Sequence, residues 1–200
     1  MTRKHRIWFP GAKFHITSRG IRKSALFFDD ADRKQYLLLL KETKKTSPFY
    51  LHSYCLMTTH IHLQIETIQI PTSQLIKNIH TVYAKYFNKK YSFTGHVFED
   101  RYGAQLIETA EYELDVSKYI HLNPVKAGIV EKPEYYPWSS FRGYLPKQIN
   151  VPLLHSSQLL SYFPTPQREN YYKYINSPYV PLQNDTPLYT EYYQELLKQR

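Results

Sequence analysis

The stretch that most narrows the choice of fold is Leu51 to Thr67, LHSYCLMTTHIHLQIET, with the two residues that precede it. It reads as two short strands, Phe49 to Met57 and His60 to Glu66, joined by a tight connection. Successive strand side chains point to opposite faces. Ile61, Leu63 and Ile65 therefore share one face, and His60 and His62 the other. The apolar face can lie on a core. The imidazole face can meet solvent, as the polar side of an amphipathic strand does, or it can hold a divalent metal. Nine histidines in 200 residues would give about 0.4 His-x-His pairs by chance, so the pair needs support from elsewhere in the chain.

Periodicity orders the rest. From Ala12 to Ser18, Phe14 and Ile16 alternate with His15 and Thr17, the pattern of a strand, which Gly20 then breaks. Asp29 or Asp30 can cap a helix running to about Lys45, with Leu37 and Leu40 in its apolar stripe. Pro71-Thr72-Ser73 starts a second helix, in which Leu75, Ile76, Ile79, Val82, Tyr83 and Tyr86 recur at helical spacing to about Asn88. Tyr91 to Arg101 reads as a loop and Tyr102 to Glu108 as a fourth strand. Strand, helix, strand, strand, helix, strand builds an α+β, ferredoxin-like (RRM-like) antiparallel sheet with both crossover helices on one face. The strands after each crossover are expected at the centre of the sheet, with the His60/His62 strand near its middle.

A third helix opens at Thr109 or Ala110, with Glu111 and Glu113 in its first turn. It is expected to stop near Asn123, because Pro124 disfavours a helical residue before it. Tyr119 and Asn123 then lie one turn apart on one face. His121 is turned away from Tyr119 and suits a structural hydrogen bond, and Asp115 reads as a solvated acid. Past about Lys147, Pro164, Pro166, Pro178, Pro181 and Pro187 punctuate the chain. Residues 1–147 are thus expected to form the main domain and 148–200 a small helical appendage and tail. Short helices are expected over Ser156–Phe163 and Gln167–Ile175, a linker over 178–190 and a last helix over Tyr189–Lys198.

Charge bears on partners. Lys plus Arg number 26 against 17 acids, and the net charge of +9 favours a polyanion such as nucleic acid. Arg3, Lys4, Arg6, Lys13, Arg19, Arg22 and Lys23 all precede the first acid, Asp29, which points that segment at phosphate. A single cysteine, Cys55, excludes an internal disulfide framework and a cysteine zinc cluster, and its apolar strand suits an inert buried thiol. No apolar run reaches signal-peptide or membrane-span length, so a cytoplasmic protein with no membrane partner is expected.

Two motifs carry a resemblance. Leu56-Met57-Thr58-Thr59-His60-Ile61-His62, together with Tyr119-Ile120-His121-Leu122-Asn123-Pro124-Val125-Lys126-Ala127-Gly128-Ile129-Val130, resembles the HUH single-tyrosine transposases, in particular the REP-associated tyrosine transposases. Phe14 to Gly20, Gly95 to Tyr102 and Tyr136 to Phe141 extend the likeness from about residue 8 to 145, with a weaker echo at Leu159 to Ile175. The resemblance implies an HUH endonuclease fold. It also implies that His60, His62 and Asn123 hold Mg²⁺ or Mn²⁺ and that Tyr119 is the nucleophile. The implied substrate is single-stranded DNA whose imperfect palindromes fold into hairpins, cleaved through a covalent 5′-phosphotyrosine. Glu99 departs from the glutamine relatives often carry, and it is left out of the site.

The residue types suit that chemistry. Two imidazoles and an amide oxygen leave a hard divalent ion open positions for water and phosphate oxygens. A phenol, with an ordinary pKa of about 10, becomes a useful nucleophile when a phosphate is held in line with it. Bases stack on aromatic side chains while cations follow the backbone; Arg19, Arg22, Lys23, Lys85, Lys89 and Arg101 are the candidate DNA contacts. The rival reading is a non-catalytic hairpin DNA- or RNA-binding module on the same sheet. The REP-associated branch favours a monomer over a dimer.

Overall fold

The computed structural model describes residues 7–147 and 149–178. Within them the order is β1 (Lys13–Arg19), α1 (Asp30–Thr46), β2 (Phe49–Leu56), β3 (His60–Thr67), α2 (Thr72–Tyr91), β4 (Gly103–Ile107), α3 (Ala110–Lys126), α4 (Ser157–Ser161) and α5 (Gln167–Asn176). The expected last helix over Tyr189–Lys198, and all but the first residue of the expected linker, lie outside the described residues.

The sheet runs β2-β3-β1-β4 with every neighbouring pair antiparallel, the ferredoxin-like arrangement. The histidine strand β3 lies in the middle, as expected. The strands that follow the crossovers, β2 and β4, are the edges and not the centre. Each crossover passes over one strand position, and the first strand of the other unit fills the gap. Alternation then sorts the faces. Phe14, Ile16, Ile61, Leu63 and Ile65 join Tyr36 and Leu40 of α1 and Leu75, Ile76, Ile79, Tyr83 and Phe87 of α2 in the main core. Val82, expected in that stripe, is exposed. On the opposite face α3 brings Val116, Tyr119 and Ile120 against Cys55, Met57 and Ile107.

Local chemistry sets the helix ends. The Asp29 carboxylate accepts the Asp32 N–H at 3.0 Å while the Asp32 carboxylate reaches back to the Asp29 N–H, a reciprocal cap on α1. Asp32 also accepts from Lys90 and Tyr91, each at 2.8 Å, which ties the start of α1 to the end of α2. That contact explains why α2 runs on to Tyr91, past the expected Asn88. α3 corrects the expected stop at Asn123: it continues to Lys126 with Pro124 inside it. Proline here costs one N–H in a final turn, and the end is closed beyond it by Gly128 N–H to Val125 O (2.9 Å) and Ile129 N–H to Pro124 O (3.0 Å). Gly128 takes the left-handed φ of 67° that this closure requires.

After α3 the chain lines the β2 edge, with Leu56 N–H to Trp138 O at 2.9 Å and His155 N–H to Leu51 O at 2.8 Å. These bonds blunt an otherwise open edge. α4 and α5 bury Leu159, Leu160, Tyr171 and Ile175 with Phe141 and Tyr144, against Leu114 and Leu122 of α3. No helix among the described residues is long and apolar enough to cross a membrane.

Candidate active site

The face of β3 that meets α3 carries His60 and His62, and the turn of α3 above them carries Tyr119 and Asn123. His60 Nε2 lies 3.1 Å from Asn123 Oδ1, and Asn123 Nδ2 lies 3.4 Å from His62 Nε2. The amide thus sits between two imidazole nitrogens, one turn of helix beyond the phenol. The Tyr119 ring stands edge-on to His62, with centroids 5.3 Å apart, and is itself only 2% exposed. The exposed Lys126 holds its ammonium over the same ring at 5.1 Å, a cation–π contact that covers the phenol.

Charge state follows from burial. Desolvation is the main cause that pulls His60 down to about 4, partly offset by its Asn123 hydrogen bond and reinforced by the Arg19 charge. Burial, and then the proximity of His60, His15 and Arg19, hold His62 well below its ordinary value. Both rings are neutral at pH 7, the state in which imidazole ligates a metal. Among the described residues no group of three or more His, Cys, Asp or Glu could hold an ion. The convergent set here is instead two imidazole nitrogens and an amide, a mixed N and O donor set that fits Mg²⁺ or Mn²⁺ with positions to spare.

A cavity of about 210 Å³ opens beside this cluster, lined by His60 and His62 and flanked by Arg19 and Arg101. Glu99 and Asp100 line it as well. A side chain at Gly103 would collide with Thr17 Oγ1, so the absence of one there keeps the β1–β4 floor open. Arg22 and Lys23 stand exposed in the turn that follows β1, both with left-handed backbone, φ 51° and 60°. Lys85 and Lys89 are exposed on α2, the helix that packs on the other face of the sheet, and the structure does not bring them to the cavity.

His121 and Asp115 point elsewhere. His121 is fully buried, with Nε2 2.9 Å from Ser140 Oγ and Nδ1 3.0 Å from the Tyr171 hydroxyl, so both nitrogens serve the fold. Asp115 corrects the expectation of a solvated acid: it is half-buried and accepts the Tyr174 hydroxyl of α5 at 3.0 Å. Cys55 is buried, which pushes its thiol up and leaves it inert.

Sequence reasoning missed His15 and Lys126. His15 Nε2 lies 3.1 Å from His62 Nδ1, and its ring contacts both His62 and Tyr119, at centroid distances of 5.3 and 5.8 Å. Burial brings it down to about 4. The alternation along β1 already sets His15 on the face of Thr17; the missing signal is the register that pairs Thr17 with His62.

A family model described as "Transposase IS200 like" matches residues 9–123, a span that holds both histidines, Tyr119 and Asn123. Among solved structures, that of a REP-associated tyrosine transposase bound to a REP hairpin superposes with a TM-score of 0.63 at 19% identity, over 78% of this chain and 96% of that one. A structure from Deinococcus radiodurans R1 described as a transposase gives a TM-score of 0.43 at 13% identity, over 60% of this chain and 95% of the other. No curated protein matches the chain.

Proposed function

Because the chain belongs to the IS200-like transposase family, we propose that it is a divalent-metal-dependent endonuclease and strand transferase for hairpin-bearing single-stranded DNA, with Tyr119 as nucleophile. The observation that carries this reading is the meeting of His60 Nε2, His62 Nε2 and the Asn123 amide within 3.4 Å, beside the ring of Tyr119. His60, His62 and Asn123 would hold Mg²⁺ or Mn²⁺, which when bound neutralises charge developing on the phosphate.

Tyr119 Oη attacks the phosphorus, the bond from phosphorus to O3′ breaks, and the 3′-hydroxyl departs with a proton while the 5′-phosphate stays on the tyrosine. Another 3′-hydroxyl reverses the step and joins a new strand. One phosphodiester is exchanged for another through a phosphoester, so no nucleotide is consumed. The closed position of Tyr119 requires the Lys126 side chain to leave its ring before phosphate arrives. Arg19 and Arg101 would grip the backbone at the cavity, Arg22 and Lys23 beside it, and Lys85 and Lys89 any strand that wraps to α2.

The solved relative was bound to a REP hairpin, and hairpin DNA is the substrate class proposed here. The proposed enzyme acts as a monomer, with nucleophile and ligands supplied by the same chain. In this reading residues 1–147 form the catalytic unit, and the segment from 148 braces α3. The test is incubation with labelled single-stranded hairpin DNA and Mn²⁺, followed by a denaturing gel. Wild type should give a covalent protein–DNA adduct and Tyr119→Phe none. Tight hairpin binding without any adduct would favour the non-catalytic binding module, and cleavage that survives Tyr119→Phe would point to a hydrolase using water.

A further inference from the structure

We propose that His15 is a positioning residue, which fixes the nitrogen that His62 turns toward the ion. The claim rests on the metal-centre reading above and assigns the tautomer within it. His62 has both ring nitrogens in polar contact: Nε2 with the Asn123 amide nitrogen at 3.4 Å and Nδ1 with His15 Nε2 at 3.1 Å. An amide nitrogen carries only hydrogens to donate, so His62 Nε2 accepts there. A neutral imidazole bears one N–H, which must then be on Nδ1, and the acceptor within reach is His15 Nε2. The chain of bonds runs from Asn123 Nδ2–H to His62 Nε2 and from His62 Nδ1–H to His15 Nε2. It leaves the Nε2 lone pair, the one a metal needs, facing the site.

The surroundings reinforce that assignment. His15 is 7% exposed and His62 fully buried, so no water competes freely for the Nδ1 hydrogen. The two rings stack at an interplanar angle of 29°, and His15 also meets the Tyr119 ring edge-on at 67°. One side chain therefore sets the orientation of a ligand and borders the nucleophile. His60 is held differently: its Nε2 faces the Asn123 amide oxygen at 3.1 Å, which can only accept, so without an ion His60 carries its hydrogen on Nε2 and its Nδ1 accepts from the Thr59 hydroxyl at 3.1 Å. That hydroxyl is rotatable and can also accept, so a bound ion would let the His60 hydrogen move to Nδ1, whereas His62 is already set by His15. A metal-ligating histidine commonly owes its orientation to such an outer partner, and losing the partner weakens metal affinity by about 10- to 100-fold.

The experiment compares wild type, His15→Phe and His15→Gln. Phe keeps a ring against His62 and Tyr119 but offers no acceptor; Gln restores an acceptor near the position of Nε2. Long-range ¹H–¹⁵N correlation spectra of histidine-labelled protein, recorded without metal, should show His62 as the Nδ1–H tautomer in wild type and Gln variant. In the Phe variant the Nε2–H form should dominate. Mn²⁺ titration followed by electron paramagnetic resonance should show binding about 10- to 100-fold weaker for Phe, with recovery in Gln. An Nε2–H His62 in wild type overturns the proposal, as does a Phe variant that keeps both tautomer and Mn²⁺ affinity. If the Phe variant fails to fold, the wild-type and Gln spectra decide. A wild type with the Nδ1–H tautomer that binds no Mn²⁺ would sink the metal reading and leave the His15–His62 assignment standing.

Discussion

Asn123 differs from its two imidazole neighbours in offering an oxygen on one side and two N–H groups on the other. That double character lets one side chain span His60 and His62, at 3.1 and 3.4 Å. Asn123→Ala should therefore weaken Mn²⁺ binding at least tenfold, about 1.4 kcal/mol, measured by calorimetric titration. Its effect on folding should stay near the ~1 kcal/mol of a lost neutral hydrogen bond, because no charge is stranded. Unchanged Mn²⁺ affinity would remove Asn123 from the ligand set. The residues brought together here were legible where a local rule connects them: His60 and His62 by the two-residue strand period, Tyr119 and Asn123 by one helical turn. His15 was not legible, because its contact with His62 depends on the register between β1 and β3, which no local pattern encodes. Lys126 was hidden by Pro124, which argued that the helix ended before reaching it.

Among the elements, α3 is the one whose placement the site cannot do without, and its neighbour α5 holds it. The side chain of Lys118, next to Tyr119 in sequence, is buried and donates to Tyr174 O at 2.7 Å, Ser177 Oγ at 2.9 Å and Ser177 O at 3.0 Å. It supplies a cation and three hydrogen bonds to the end of a helix whose last carbonyls lack partners within it. Lys118→Met leaves those acceptors unsatisfied and should cost about 2 kcal/mol, or roughly 4–8 °C in melting temperature. Lys126→Met, on the same helix, gives up the exposed cation–π contact with Tyr119 and should cost no more than about 1 kcal/mol. Equal melting temperatures for the two variants would contradict this bracing role. The order of elements was readable throughout because each carries its own period and cap, as Asp29 and Thr109 show. Edge and centre were assigned wrongly for β2 and β4, since strand position is a property of two interlocked crossovers and not of either strand's residues.

At the scale of the whole molecule, electrostatics and proton uptake make the readable differences. A net charge of +9 predicts strongly salt-dependent DNA binding. If Arg19, Arg22, Lys23 and Arg101 each meet a phosphate, the logarithm of affinity for single-stranded DNA should fall against log salt with a slope of about −3. Arg101→Ala should make that slope shallower by about one unit, and an unchanged slope would take Arg101 off the DNA path. Acid sensitivity follows from buried imidazoles. Burial brings His121 down to about 3 and His15 to about 4, against an ordinary 6.5. Between those values the unfolded chain binds protons that the folded chain refuses, so stability is complete above about pH 6.5 and declines as pH drops. At pH 5 each ring should cost about 2 kcal/mol, from ~1.5 pH units at ~1.36 kcal/mol each, and together they remove a large part of the 5–15 kcal/mol typical of a domain. Urea midpoints at pH 7 and pH 5 measure this directly. Burial lowers His60, His62 and His80 as well, so His121→Gln, whatever its own cost, should lose only about one ring's share, ~2 kcal/mol, of the pH-dependent difference. A wild-type midpoint that stays level from pH 7 to pH 5 would mean that these rings take up protons in the folded state, and that the face of the sheet beneath α3 is open to water.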